Sequence, residues 1–241
     1  MRDHDHDDPR PGLRRRDALG LLGGAALAVG CGGGGSATHA DAAATCVLSP
    51  QVTEGPYWID EALKRRDITE DRPGLPLGLV LTVQDATRCE PIEGADVEIW
   101  HCDAGGVYSG FEDASQGGPP GGGSGPTDGE RYLRGHQRSD ARGRARFETI
   151  YPGWYRGRTP HIHLKVHVGG GVEHTGQLFF PEAITAAVYR RTPYRSHGQP
   201  DTSHAADMIY AQAGRSKATL KLSRRGSGRG YRGAITLGVA T

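Results

Sequence analysis

The chain has 241 residues, with 29 Lys plus Arg against 28 Asp plus Glu and a formal net charge of +1. So balanced a charge provides no electrostatic footprint for nucleic acid or an acidic membrane surface. The four cysteines, Cys31, Cys46, Cys89 and Cys102, contain no C-x-x-C pair, which excludes the common zinc-finger spacings.

The N-terminus reads as an address rather than as fold. Arg14-Arg15-Arg16 precede Asp17-Ala18-Leu19, and an apolar run continues from Leu19 to Val29. A basic stretch followed by a short apolar one is a signal-peptide pattern, too short for a stable membrane span. The paired arginines followed by Asp-Ala-Leu resemble a twin-arginine signal. Ala28-Val29-Gly30-Cys31 resembles a bacterial lipobox, with Ala28 where Leu is usual, and makes Cys31 a candidate for lipidation and anchoring to the cell membrane. Gly32–Ser36 then serves as a flexible tether. The alternative is cleavage after a small residue between Ala37 and Ala44, and free secretion. Residues 1–45 are therefore set apart from a single exported domain over 46–241, whose length of about 195 residues suffices to bury roughly 70% of the unfolded-chain surface.

Beyond Cys46 the pattern is mostly that of β-structure. Leu79, Leu81 and Val83 alternate with other residues, as do Ala95, Val97 and Ile99 with Asp96, Glu98 and Trp100. Such period-two alternation marks strands with one face on a core. Turn signals bound these runs at Pro73-Gly74, at Pro91 with Gly94, at Asp140 with Gly143 and at Gly169-Gly170-Gly171. Gly117–Gly125 is a low-complexity insertion, read as a mobile surface loop. Short helices are expected near Pro181–Tyr189 and Ser203–Ala211, and a terminal hairpin from Thr219–Leu222 and Ala234–Leu237. The expected fold class is mainly β: a β-sandwich with loops and one or two short helices. Export to an oxidising compartment favours one disulfide, for which Cys46–Cys89 is the candidate, leaving Cys102 as a small buried thiol.

The most informative stretch is His161-Ile162-His163-Leu164-Lys165-Val166-His167-Val168. On a strand, Ile162, Leu164, Val166 and Val168 share one face, and His161, His163 and His167 share the other. Two imidazoles at i and i+2 reach one metal ion from one strand face. A Glu about four residues on, as a cupin would have, is missing; a zinc site would add a third ligand, for which His167 is a candidate. Tyr155 lies six residues before His161. A phenolate is a hard anionic donor that binds only a strongly Lewis-acidic ion, and Fe(III) is the natural choice.

Thr149-Ile150-Tyr151-Pro152-Gly153-Trp154-Tyr155, followed by Arg158-Thr159-Pro160-His161-Ile162-His163, resembles the intradiol ring-cleavage dioxygenases, the family of the protocatechuate, catechol and hydroxyquinol dioxygenases. Val97–Tyr108, Thr53-Glu54-Gly55-Pro56-Tyr57, Asp140–Phe147 and Thr175–Pro181 resemble other segments of the same family, in the same order, so that the likeness runs from about residue 46 to 215. The resemblance implies a non-haem Fe(III) held by Tyr108, Tyr155, His161 and His163, with Tyr155 and His163 axial. Tyr155 is the phenolate that leaves when substrate chelates, and Tyr151, before the Pro-Gly turn, is not a ligand. It further implies that Arg158 stabilises charge on the substrate ring, and that Gln177 and Tyr57 line the substrate pocket. The implied reaction opens a small aromatic diol with O2 between its two hydroxyl-bearing carbons, giving a muconate-type diacid. His101-Cys102-Asp103, where soluble relatives often have Gln-Ala-Asn, departs from the pattern, and no counterpart of the catechol dioxygenases' helical N-terminal dimerisation domain is expected, which makes the sequence more similar to the secreted, single-domain members. The alternative reading is an exported β-sandwich binding module without catalysis, for which the Tyr108, Tyr155, His161, His163 set has no use.

Overall fold

In the computed structural model the alternation around Leu79 becomes strand β1, Pro76–Asp85, in which every second residue from Leu77 to Asp85 is buried. The other strands and α-helices among the described residues are β2 (Asp96–Trp100), β3 (Arg134–Arg138), β4 (Arg144–Ile150), β5 (His161–Val168), β6 (Gly171–Phe179), helix α1 (Glu182–Val188), helix α2 (Met208–Gln212), β7 (Lys221–Arg224) and β8 (Tyr231–Val239). The structure describes residues 46–60, 63–112, 126–226 and 229–241. The signal, Cys31, the tether and the Gly117–Gly125 insertion lie outside these residues.

Two four-stranded sheets form, in the orders β4-β1-β8-β7 and β3-β2-β5-β6. In the first, β1 runs parallel to β8 and antiparallel to β4. The second is antiparallel throughout. Leu77, Leu79, Leu81 and Val83 of β1 share one apolar core with Val97 and Ile99 of β2 and Ile162, Leu164 and Val166 of β5. That shared core makes the pair of sheets a β-sandwich, the expected class. Burying each such side chain stabilises the fold by about 1.5–3 kcal/mol.

The helices show where the sequence reading was offset. The first matches its expected place. The second begins only at Met208, because Asp207 caps it by accepting bonds from the Ile209 and Tyr210 amides, 2.9 and 3.1 Å. The residues before it form a turn. In the terminal hairpin Lys221 pairs with Ala234, but Thr219 and Leu220 precede β7, and β8 starts as early as Tyr231. Ala95 is buried yet lies just outside β2. Cys46 and Cys89 form a disulfide with their Cα atoms 5.4 Å apart, and Cys102 is a buried free thiol.

A second apolar cluster lies on the other face of the β3-β2-β5-β6 sheet. It joins Trp100 at the end of β2 to Tyr57, Ile59, Cys102, Tyr108 and Phe111 from the loops. These loops roof the sheet face that carries His161 and His163.

Candidate metal centre

Strand β5 delivers the two histidines by its alternation alone. His163 pairs with Trp100 on β2 and Gln177 on β6, so these three stand in one row across the sheet. The Trp100 ring stacks on the His163 imidazole, centroids 5.1 Å apart and planes within 8°. On the other side, Gly55 is held at φ +76°, and a Cβ there would stand 2.9 Å from His163 Cε1. Only glycine permits this conformation and approach without strain. Both imidazoles are buried beneath the loops rather than lining an open cleft.

Four polar atoms converge at this point. Tyr108 Oη lies 3.1 Å from His163 Nε2, His163 Nε2 lies 3.0 Å from His161 Nε2, and His161 Nε2 lies 3.3 Å from Tyr155 Oη. The His161 ring orientation is fixed by Nδ1, 2.7 Å from the Thr159 carbonyl oxygen. A carbonyl only accepts, so Nδ1 carries the proton and Nε2 presents a lone pair. Each phenol O–H has an imidazole lone pair to donate to. His163 Nε2 lies 3.0 Å from that lone pair, close enough for one cation to be shared by the two imidazoles once the His163 proton sits on Nδ1. Among the described residues His163 Nδ1 is buried without a hydrogen-bond partner.

Burial sets the proton chemistry. It pushes both His161 and His163 well below the usual histidine range, with the Arg158 charge adding to it. Both rings are therefore neutral donors at ordinary pH. Burial likewise raises the Tyr108 and Tyr155 phenols, against a smaller lowering by Arg158. Such phenols ionise only beside a strong positive charge. The donor set thus fits a hard, highly charged cation held by two phenolates and two neutral imidazoles.

The surrounding residues fix these donors in place. Tyr57 stacks on Tyr108 with centroids 4.4 Å apart and meets the Tyr155 ring edge-on at 5.9 Å. Arg134, at the start of β3, donates from Nη1 to the Tyr57 carbonyl at 2.7 Å and from Nη2 to the Ser109 carbonyl at 2.7 Å. One buried guanidinium thereby pins both the Tyr57 segment and the loop after Tyr108. Arg158 Nη1 donates to Tyr155 Oη at 3.4 Å and its Nη2 to Gln177 Oε1 at 2.6 Å. Gln177 in turn donates to the Thr53 carbonyl at 3.0 Å. All seven residues singled out in the sequence, Tyr57, Tyr108, Tyr155, Arg158, His161, His163 and Gln177, fall in this one connected group.

Two residues weighed in the sequence stand apart from it. Tyr151 is buried in the sandwich core, its hydroxyl 2.7 Å from Thr185 Oγ1. His167 follows a bulge in the β5–β6 pairing and lines a separate cleft of about 260 Å³ with Glu98, Asp96 and His136. Its Nε2 is 3.7 Å from Glu98, whose carboxyl burial pushes up to about 7. Lys165, between His163 and His167, is buried with its amine 2.6 Å from Glu54 and 3.3 Å from the Trp58 ring centroid. Sequence reasoning missed the parts played by Trp100, Gly55, Arg134 and Asp207.

Residues 53–187, which hold this cluster and most of the sandwich, match the family model described as Dioxygenase. Among solved structures, an intradiol ring-cleavage dioxygenase from Tetranychus urticae is 36% identical with a TM-score of 0.75, covering 81% of this chain and 95% of that one. The dioxygenase domain of a dioxygenase–carbohydrate-binding fusion from Streptomyces sp. SirexAA-E is 26% identical with a TM-score of 0.58, covering 81% and 99%. The chain belongs to the intradiol ring-cleavage dioxygenase family. A chlorocatechol 1,2-dioxygenase of Cupriavidus pinatubonensis is 28% identical over 156 residues, 55% of this chain and 54% of that protein. The chain spans about half the length of the curated relatives it matches, 54% in this case.

Proposed function

We propose that the domain over 46–241 is a non-haem Fe(III) enzyme that opens catechol-type rings between the two hydroxyl-bearing carbons with O2, giving a muconate-type diacid. The observation that carries this reading is the convergence of Tyr108 Oη, His163 Nε2, His161 Nε2 and Tyr155 Oη, each 3.0–3.3 Å from the next. The kinship with intradiol dioxygenases supports the choice of reaction and of diol substrate.

Tyr108, Tyr155, His161 and His163 would hold the iron, which supplies Lewis acidity and a template for the substrate diol. His161 and His163 offer lone pairs because burial keeps them neutral. Tyr108 is fully buried and stacked on Tyr57, so it is the fixed phenolate. Tyr155 is only half-buried, and its Oη could take a proton from a diol hydroxyl. Its pKa, raised by burial, makes the freed phenolate a competent base. Arg158 faces that same oxygen and keeps a positive charge beside the ring, a contribution often worth a few kcal/mol in the transition state. Gln177 orients Arg158, and Tyr57 with Phe111 closes the roof against water.

We further propose that the chain leaves the cytoplasm by its twin-arginine-type signal, folded, and is either anchored through lipidated Cys31 or secreted. Replacing Arg15 and Arg16 by Lys should retain it inside the cell, and Cys31→Ala should free an anchored form from the membrane fraction. The enzymatic reading is tested by adding catechol anaerobically to iron-loaded protein and then admitting air. A shift of the visible band followed by a colourless diacid supports it. A yellow semialdehyde, or no product from any catechol, overturns it and favours a binding module.

A further inference from the structure

Asp207 lies beyond the matched residues 53–187 and is not among the residues to which the family resemblance gives a role. It is nevertheless joined to the site. Its side chain is 1% exposed and that of Arg158 15%. Asp207 Oδ2 accepts from Arg158 Nε at 3.0 Å and from the Thr159 amide at 3.0 Å. Its other oxygen, Oδ1, accepts from the Ile209 and Tyr210 amides at the start of α2. The carboxylate is thus fully engaged, with one oxygen assigned to the helix and the other to the site.

We propose that Asp207 is a positioning residue of the active site, fixing the Arg158 guanidinium so that Nη1 faces the Tyr155 oxygen and the ring-binding space. This inference rests on the proposed dioxygenase reading. A guanidinium presents its donors as a rigid planar fork, so a partner on Nε sets the direction of both terminal nitrogens. Gln177 holds Nη2 with a neutral oxygen 2.6 Å away. Asp207 adds a charge-assisted bond on Nε. Between them the plane has one orientation, and Nη1 is left to the reacting centre. The Thr159 amide on the same Oδ2 couples this orientation to the backbone whose carbonyl sets the His161 ring. Asp207 touches no substrate in this arrangement and acts only through Arg158.

The test uses D207N, because Asn is as good a helix cap as Asp. Its single oxygen can serve the Ile209 and Tyr210 amides, and its amide group then meets Arg158 Nε and the Thr159 amide, donor against donor. In the full-length iron-loaded protein, kcat on catechol should fall on the order of 10- to 100-fold, as expected of a misplaced transition-state group, while KM changes by less than about threefold. In an R158A background, D207N should cost no more than about a further twofold, since its target is gone. If D207N does not accumulate as folded protein, D207S retains a capping hydroxyl and replaces it in both arms. Wild-type kcat in D207N, or losses that multiply in the double variant, overturn the assignment while leaving the dioxygenase reading intact. If the wild type itself opens no catechol, that reading fails, and crystal structures of the variant still decide the role of Asp207. Arg158 leaving Gln177 Oε1 supports it, and an unmoved guanidinium overturns it.

Discussion

The two faces of β5 are made by the same eight residues and do opposite work. Inward, Ile162, Leu164 and Val166 enter the apolar core and need nothing but shape from their neighbours. Outward, His161, His163 and Lys165 are as deeply buried, yet every one of them costs free energy to desolvate. That cost is offset on Lys165 by Glu54 and the Trp58 ring. On the histidines the offset is incomplete, with His163 Nδ1 unpartnered. A strand that satisfies its stability requirements on one face carries, on the other, the imidazole nitrogens that a metal ion would bind.

The largest effect expected from breaking this contrast is on the outer face. His163→Ala or His161→Ala should abolish iron retention and with it at least a thousandfold of turnover, on the order of what losing a catalytic triad member costs. On the inner face the pattern reverses. Leu164→Ala should lower stability by roughly 2–5 kcal/mol in denaturant titration and leave the iron and its colour in place.

Proton uptake probes burial away from β5. His101 and His174 are buried neutral histidines outside the donor cluster, each lowered by burial to about 4. A histidine lowered on folding contributes stability that is present above the unfolded value of about 6.5 and is lost as pH falls through the folded one. Metal-free protein should therefore weaken between about pH 6.5 and 4 by on the order of a few kcal/mol in urea titrations. A flat profile there would remove burial as the cause. The smallest effect belongs to Tyr151→Phe, which loses one core hydrogen bond to Thr185 and should cost about 1 kcal/mol without changing the colour.

What the sequence revealed follows the same division. β1 was legible because Leu77 to Val83 alternate cleanly with exposed positions, and the paired histidines were legible from their i, i+2 spacing on a strand. Strand β3, Arg-Gly-His-Gln-Arg, was not legible, since its buried end is a guanidinium satisfied by carbonyls rather than an apolar side chain. A hydropathy pattern cannot register that kind of burial. The roof was hidden for a related reason. Gly55 meets His163 and Asp207 meets Arg158 across long stretches of chain, 49 residues in the second case, and no periodicity links them. Asp207 sat inside an expected helix, where an acidic residue reads only as a cap or a solvated charge. Cys102 was placed correctly, as a small buried thiol, because it falls between the Trp100 strand and the Tyr108 loop.

The central claim is that two phenols and two imidazoles on the outer face form one ferric site. It is tested most directly by the visible spectrum of the purified, iron-loaded protein and of its tyrosine variants. Two phenolates on Fe(III) give a ligand-to-metal charge-transfer band, so the wild type should be wine-red. Tyr108→Phe and Tyr155→Phe should each shift or bleach that band, and Tyr151→Phe should leave it intact. A colourless protein that takes up no ferric ion, or a band indifferent to both Tyr108 and Tyr155, would contradict the account.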